Sequence, residues 1–266
     1  MSQSALALVP ESPILSVVDC TKTYGSIVGC RDVSFDLYPG EVLGIVGESG
    51  SGKSTLLNCI SGRLQPTEGS VSFALKDGEL SDIFALSEPE RRRLQREEWG
   101  FVHQNPRDGL RMRVSAGANV AEPLMNLGNR HYGTMREQTI DWLTRVELDI
   151  ARVDDNPKTF SGGMQQRIQI ARNLIHGPRL IFMDEPTGGL DVSVQARLLD
   201  LLRSLVRRLG MSAIIVTHDL AVARLLADRL MVMRSGSVVE MGLTDQVLDD
   251  PQHSYTQLLV SAVLQI

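Results

Sequence analysis

Apolar and polar residues alternate at Val33, Phe35 and Leu37, the two-residue period of a strand with one buried face. Ile14, Val17 and Val18 open the strand signals, which run through 14–46. After a turn at Tyr38, Pro39 and Gly40 the pattern changes to an unbroken apolar run at 42–46, suited to a strand buried on both faces. Residues 69–73 predict another strand, at a sheet edge. Ser87, Glu88, Pro89 and Glu90 match a capping box with proline in the first turn, so a helix over 90–98 follows, its arginines on a solvated face. From 105 to 160 glycine, methionine and polar residues mix with helical periodicity, clearest at 136–146, which predicts a mostly helical insertion. Two more apolar runs of strand length, 179–184 and 212–217, come next, with long helical segments between and after them. Strands alternating with helices predict an α/β fold with a parallel sheet covered on both faces. Ligands in such folds sit beyond the carboxyl ends of the strands. Asp184, His218 and the segment after Val46 all fall at such ends.

Composition narrows the class. The chain has 266 residues, 42% hydrophobic and 22% charged, enough for a substantial core in one or two domains. A formal charge of −5 gives no general basis for binding nucleic acid. The three cysteines, Cys20, Cys30 and Cys59, have neither metal-like nor paired spacing and read as reduced thiols, Cys59 in the core. No apolar run is long enough to cross a bilayer. Ala5 to Val9 is too short and lacks the basic lead of a secretory signal, so residues 1–13 are expected to be a mobile tail of a cytoplasmic protein.

The segment after Val46 carries the chemistry. Gly47, Glu48, Ser49, Gly50, Ser51, Gly52, Lys53, Ser54 and Thr55 lie between a buried strand and a helix-compatible run. Strand, glycine-rich loop and helix in that order form a nucleoside triphosphate phosphate-binding loop. The glycines let successive N–H groups face a polyphosphate, and the helix points its positive dipole end at the same anion. Lys53 can reach the β- and γ-phosphates, and the Ser54 hydroxyl can ligate Mg²⁺. Asp184 and Glu185 close a strand. The first can hold Mg²⁺ and the second can polarise an attacking water. Acidic pairs at strand ends are common; this one gains meaning from the phosphate loop.

Phe160, Ser161, Gly162, Gly163, Met164, Gln165, Gln166 and Arg167 resemble the signature motif of ATP-binding-cassette ATPases, with Phe160 and Met164 replacing the usual outer residues. Other elements of that family recur in order. Tyr24 matches the aromatic residue that stacks on adenine, Gln104 the glutamine loop that senses Mg²⁺, and His218 the switch histidine that contacts the γ-phosphate. Gly189, Leu190 and Asp191 resemble the loop at the dimer interface, with glycine where serine is commoner. The resemblance covers about 14–250. It implies a P-loop NTPase fold with a RecA-like core, an antiparallel β subdomain and a helical insertion, as a single domain followed by a tail over 251–266. It further implies a head-to-tail dimer, a homodimer or one formed with a second cassette ATPase. ATP would lie between the phosphate loop of one subunit and Ser161, Gly162 and Gly163 of the other. Lys53, Glu185 and His218 would be catalytic, and Ser54, Gln104 and Asp184 would hold Mg²⁺.

Two narrower resemblances follow, of which the second is the preferred reading and the first the alternative. Residues 247–256 are similar to the tail of oligopeptide-importer ATPases, as is Met164. The segments 102–104, 108–111, 114–117 and 160–191 are similar to the ATPase subunit of carbon–phosphorus lyase systems for phosphonate breakdown. The second resemblance implies docking on a soluble lyase core; the first implies a membrane permease. A cassette with weak turnover is a third reading, opposed by the intact Lys53, Asp184, Glu185 and His218. Arg107, Asp108, Arg111 and Arg113 read either as a docking surface for the lyase core or as a solvated charged loop.

Overall fold

The computed structural model describes residues 12–263. The tail expected over 1–13 falls almost wholly outside them. The chain opens with a hairpin, β1 (Leu15–Tyr24) and β2 (Ile27–Leu37), then runs through β3 (Val42–Val46) into helix α1 (Lys53–Ile60). Strands β4 (Glu68–Ala74) and β5 (Leu80–Asp82), helix α2 (Glu88–Glu97) and strand β6 (Trp99–Val102) follow. A helical region contains α3 (Pro106–Gly109), α4 (Ala116–Asn126), α5 (Tyr132–Arg145) and α6 (Gly162–Leu174). The remainder is β7 (Leu180–Asp184), α7 (Val192–Leu209), β8 (Ser212–Thr217), α8 (Leu220–Leu226), the hairpin β9 (Arg229–Arg234) and β10 (Ser237–Leu243), α9 (Thr244–Asp249) and α10 (Ser254–Val263).

The strands form two sheets. One is antiparallel, in the order β2-β1-β4-β5. The other runs β10-β9-β3-β8-β7-β6; all its pairings are parallel except that of β10 with β9. The apolar runs at β3, β7 and β8 are continuous because both faces of this sheet are covered. Ile181 and Met183 pack with Val120, Leu143, Ile168 and Leu202 on the helical side. Their neighbours Leu180 and Phe182 point the other way, into a cluster with Val17, Leu56, Leu57 and Phe73. Each such side chain contributes roughly 1.5–3 kcal/mol by leaving water. With these strands held parallel, their carboxyl ends bring the phosphate loop, Asp184 and the residues after Thr217 to one rim.

The helical insertion is tied to α6. Glu122 on α4 receives Arg172 of α6 at 2.6 Å and Arg111 at 2.6 Å. Asn119, fully buried, donates from its amide nitrogen to the carbonyls of Arg111, Val114 and Ser115, while its oxygen accepts from Arg111 N at 2.7 Å. The segment that leaves Gln104 is thereby fixed rather than loose.

Two expectations are corrected. β4 is not an edge strand: it pairs with β1 on one side and with β5 on the other. The partner was hidden because β5 has only three residues, after a turn at Asp77 and Gly78. Helix α2 starts at Glu88 rather than at 90, because Ser87 is the residue that closes the capping box with Glu90. The described part of the stretch expected as a tail contains α10. Tyr255 of α10 is buried beside Val46, Leu220, Val247 and Leu248, and Leu259 and Val260 pack there as well. Those three α10 residues share the helical spacing of one apolar face.

Candidate nucleotide site

At the rim of the parallel sheet lies a cavity of about 670 Å³ lined by Tyr24, Ser49, Gly50, Gly52, Lys53, Ser54, Thr55, Gln104, Glu185 and His218, with Ile27, Val28 and Gly29 completing its wall. Residues from five separate places in the chain thus meet to form it.

The loop's path depends on glycine at two points. Gly47 has φ 151°, and a Cβ there would lie 2.2 Å from the carbonyl oxygen of Met233. Gly52 has φ 101°, and a Cβ there would lie 2.1 Å from the carbonyl oxygen of Gly29. Gly52 is also the N-cap of α1 and brings no side chain to cap it, so the first turn's N–H groups lack a capping side chain. Such a helix start suits an anion. Lys53 is only 6% exposed. Its ammonium donates to the carbonyls of Gly47 and Glu48 at 2.8 Å each, with the Ser51 hydroxyl at 3.4 Å. Burial pulls its pKa below the usual lysine value, against the opposing pull of Glu185 and Asp184.

The acidic pair is arranged with different surroundings for its two members. Asp184 ends β7 and accepts from the Ser54 hydroxyl at 3.4 Å. Burial, then repulsion from Glu185, raises its pKa, while Ser54, Lys53 and Arg63 oppose the shift. Glu185 sits at φ 43°, a left-handed region that non-glycine residues rarely occupy. That backbone turns its carboxylate between two neighbours: Gln104 Nε2 donates to one oxygen at 2.7 Å, and His218 Nδ1 lies 3.0 Å from the other.

Ser161, Gly162 and Gly163 are not among the residues that line this cavity. They open α6 elsewhere on the surface, where Ser161 and Gly162 are exposed and the Ser161 hydroxyl accepts from Met164 N at 3.4 Å.

Two features had no signal in the sequence pattern. Arg63, after α1, stacks its guanidinium 3.4 Å from the centroid of Phe101 and meets His103 Nε2 at 3.4 Å. Burial lowers its pKa to about 10, opposed by Asp184. And the three cysteines that are distant in sequence converge. Their sulfurs, from β1, β2 and α1, lie within 4.8 Å of one another, all buried and unbridged. Spacing along the chain says nothing of contacts made across a sheet and a helix.

Residues 30–188 match the family model described as ABC transporter. The chain is 64% identical over 253 residues to the "Putative phosphonates utilization ATP-binding protein PhnK" of Escherichia coli K12, covering 95% of this chain and 98% of the relative. It is 37% identical to the "Dipeptide transport ATP-binding protein DppF" of the same organism, covering 95% of this chain and 77% of that one. Among solved structures it superposes on the ADP- and Pi-bound dimeric ATP-binding cassette MJ0796 with a TM-score of 0.77 and 33% identity, over 86% of this chain and 98% of that one. It superposes on cbiO1 of Clostridium perfringens with a TM-score of 0.80 and 27% identity, over 96% of this chain and all of that one. Phosphate loop, acidic pair, signature segment and fold therefore lead to one assignment: the chain belongs to the ABC transporter family and is one of its ATP-binding cassette ATPases.

Proposed function

We propose that the chain hydrolyses ATP in a head-to-tail dimer and uses the cycle to change the conformation of a soluble carbon–phosphorus lyase complex for phosphonate breakdown. The observation that carries the chemical part is the Glu185 carboxylate held between Gln104 and His218 at the mouth of the phosphate loop. Glu185 orients and deprotonates the attacking water, and His218 stays close to the γ-phosphate. The Lys53 ammonium, drawn away from the Gly47 and Glu48 carbonyls, meets the β- and γ-oxygens. Tyr24, half-exposed at the far wall of the cavity, stacks on the base. Ser54, Asp184 and Gln104 offer a hard-oxygen set that fits Mg²⁺; the ion would neutralise charge on the β- and γ-phosphate oxygens. Ser161, Gly162 and Gly163 of a second cassette, a copy of this chain or another ATPase, complete the cradle with a hydroxyl and a helix N-terminus. Catalysis is then mainly positioning and charge stabilisation.

The assignment to the lyase system rests on the 64% identity, end to end, with a relative named for phosphonate utilisation. A membrane importer is the second reading, supported by the 37% identity with a dipeptide transport subunit. For docking, the segment after Gln104 supplies a subset of the expected arginines. Arg111 is already paired with Glu122. Arg107 and Arg113 are exposed and form no ion pair among the described residues, so these two carry the proposed contact with acidic groups of the lyase core. The test is affinity purification of the tagged chain from cells growing on a phosphonate. Soluble lyase subunits should come down with the wild type, and their binding should weaken and grow more salt-sensitive in Arg107→Glu/Arg113→Glu. Recovery of a permease pair instead would move the chain to the importer class.

A further inference from the structure

Tyr255 stands 207 residues from Glu48 and touches the phosphate loop: its hydroxyl accepts from the backbone N–H of Glu48 at 3.2 Å. The carbonyl of that same peptide unit, contributed by Gly47, accepts from Lys53 Nζ at 2.8 Å. A peptide unit is a rigid plane. This one is held at its nitrogen end by Tyr255 and at its oxygen end by the lysine that the ATPase reaction needs.

The hydroxyl is fixed independently of the loop. Tyr255 is 3% exposed and packs against Val46, Leu220, Val247 and Leu248. The guanidinium of Arg234 lies 4.8 Å from its ring centroid. Its own N–H donates to His253 Nδ1 at 3.1 Å, and Gln252 and His253 donate their backbone N–H groups to Glu240 of β10 at 2.8 and 3.0 Å. The start of α10 is thus anchored to the large sheet before it meets the loop. On the loop side, Gly47 is the flank with the widest rotational freedom. The plane that Tyr255 holds therefore has a glycine on one side of it.

We propose that Tyr255 is a positioning residue for the ATPase reaction: its hydroxyl sets the tilt of the peptide between Gly47 and Glu48, and through it the place of Lys53 and the start of the phosphate loop. When the hydroxyl is lost, the plane rotates about the bonds that flank it and draws the Gly47 carbonyl away from Lys53. Nucleotide must then order the loop as it binds, and apparent affinity falls by the fraction of chains still competent. Glu185, Gln104 and His218 stand on other strands and keep their geometry, so turnover of bound ATP is spared.

Tyr255→Phe removes the oxygen alone and keeps the ring, its packing and the Arg234 contact. The expected result is a rise of about three- to tenfold in KM for ATP and in the equilibrium Kd, the effect of one lost hydrogen bond. kcat should stay within about twofold, and the melting temperature without nucleotide should fall by no more than about 2–4 °C, as loss of one hydrogen bond does in a chain of this size. Backbone hydrogen exchange at Glu48 should quicken in the nucleotide-free protein. Tyr255→Leu should give the same KM shift with a larger fall in melting temperature, because the ring's packing is lost as well, which separates the hydroxyl's effect from the ring's. An unchanged KM with unchanged exchange at Glu48 in Tyr255→Phe would overturn the proposal. So would a fall in kcat at constant KM, or wild-type KM in a folded Tyr255→Leu.

Discussion

The phosphate-loop end of the chain and the end of α6 that opens at Ser161 serve one nucleotide in the proposed dimer, yet they are built differently. The first is tense. It holds a buried ammonium, a carboxyl raised by burial and by its neighbour, and a glutamate in left-handed backbone. The second is relaxed: an exposed serine caps an ordinary helix and makes one long hydrogen bond to it. Groups held away from water against their own charge favour a ligand that relieves them. A capped, solvated helix start exerts no such pull until another surface brings the anion to it. In the proposed dimer the difference implies an order of events: ATP would settle in the tense half first, and the relaxed half would join when a second cassette arrives.

The strongest way to break this picture is at Glu185. Glu185→Gln keeps the shape and the contact with His218 but removes the base. It should lower kcat by about 10²–10⁴, the usual range for a general base, while ATP binding persists. The variant should then accumulate as an ATP-dependent dimer in size-exclusion chromatography. Wild-type turnover would sink the role of Glu185, and an ATP-bound monomer would sink the order of events.

A second intervention addresses the relaxed half. Ser161→Arg forfeits the cap, at a cost of about 1 kcal/mol, and places bulk where the second cassette must approach. Binding of ATP to the isolated chain should stay near wild type while hydrolysis falls by at least tenfold. Normal hydrolysis at low protein concentration would refute the head-to-tail arrangement.

The third effect is smaller and concerns the tension itself. Asp184→Asn should abolish Mg²⁺-dependent turnover and yet raise the melting temperature of the nucleotide-free protein. The sign follows from the raised pKa of Asp184. Protonation favours the folded chain, and that contribution is lost as pH rises through the raised value. Asparagine mimics the protonated form at every pH. The gap between variant and wild type should therefore be widest near neutrality and close on acidification. A melting temperature that falls at neutral pH would show that the pair is not under strain.

The sequence was most legible where one local pattern carries both structure and chemistry. The run at β3, the glycines after it and the opening of α1 are contiguous, so their geometry is written in neighbouring residues. Ser87 and Glu90 spelled out a capping box, which the structure makes in full. Legibility failed where a contact joins distant segments. β5 is too short to show a period, which hid the interior position of β4. The packing of α10 had no local signal because what buries Tyr255 is Val46 and Leu220, residues far back along the chain. Arg111 read as either a docking cation or part of a solvated loop because its partner Glu122 comes a loop and almost two turns of helix later. In the site itself, Ile27, Val28 and Gly29 line the cavity without having carried any signal in the sequence, and the bracketing of Glu185 depends on how β6, β7 and β8 align their ends.

The meeting of Cys20, Cys30 and Cys59 has a practical consequence. They are the chain's three cysteines, and none is exposed in the folded protein. A thiol-alkylating reagent is therefore silent toward the native state and reports only opening of the body that joins β1, β2 and α1. Because α1 begins at Lys53, the rate at which those thiols become labelled is a clock for how often the floor beneath the phosphate loop comes apart, and nucleotide should slow that clock.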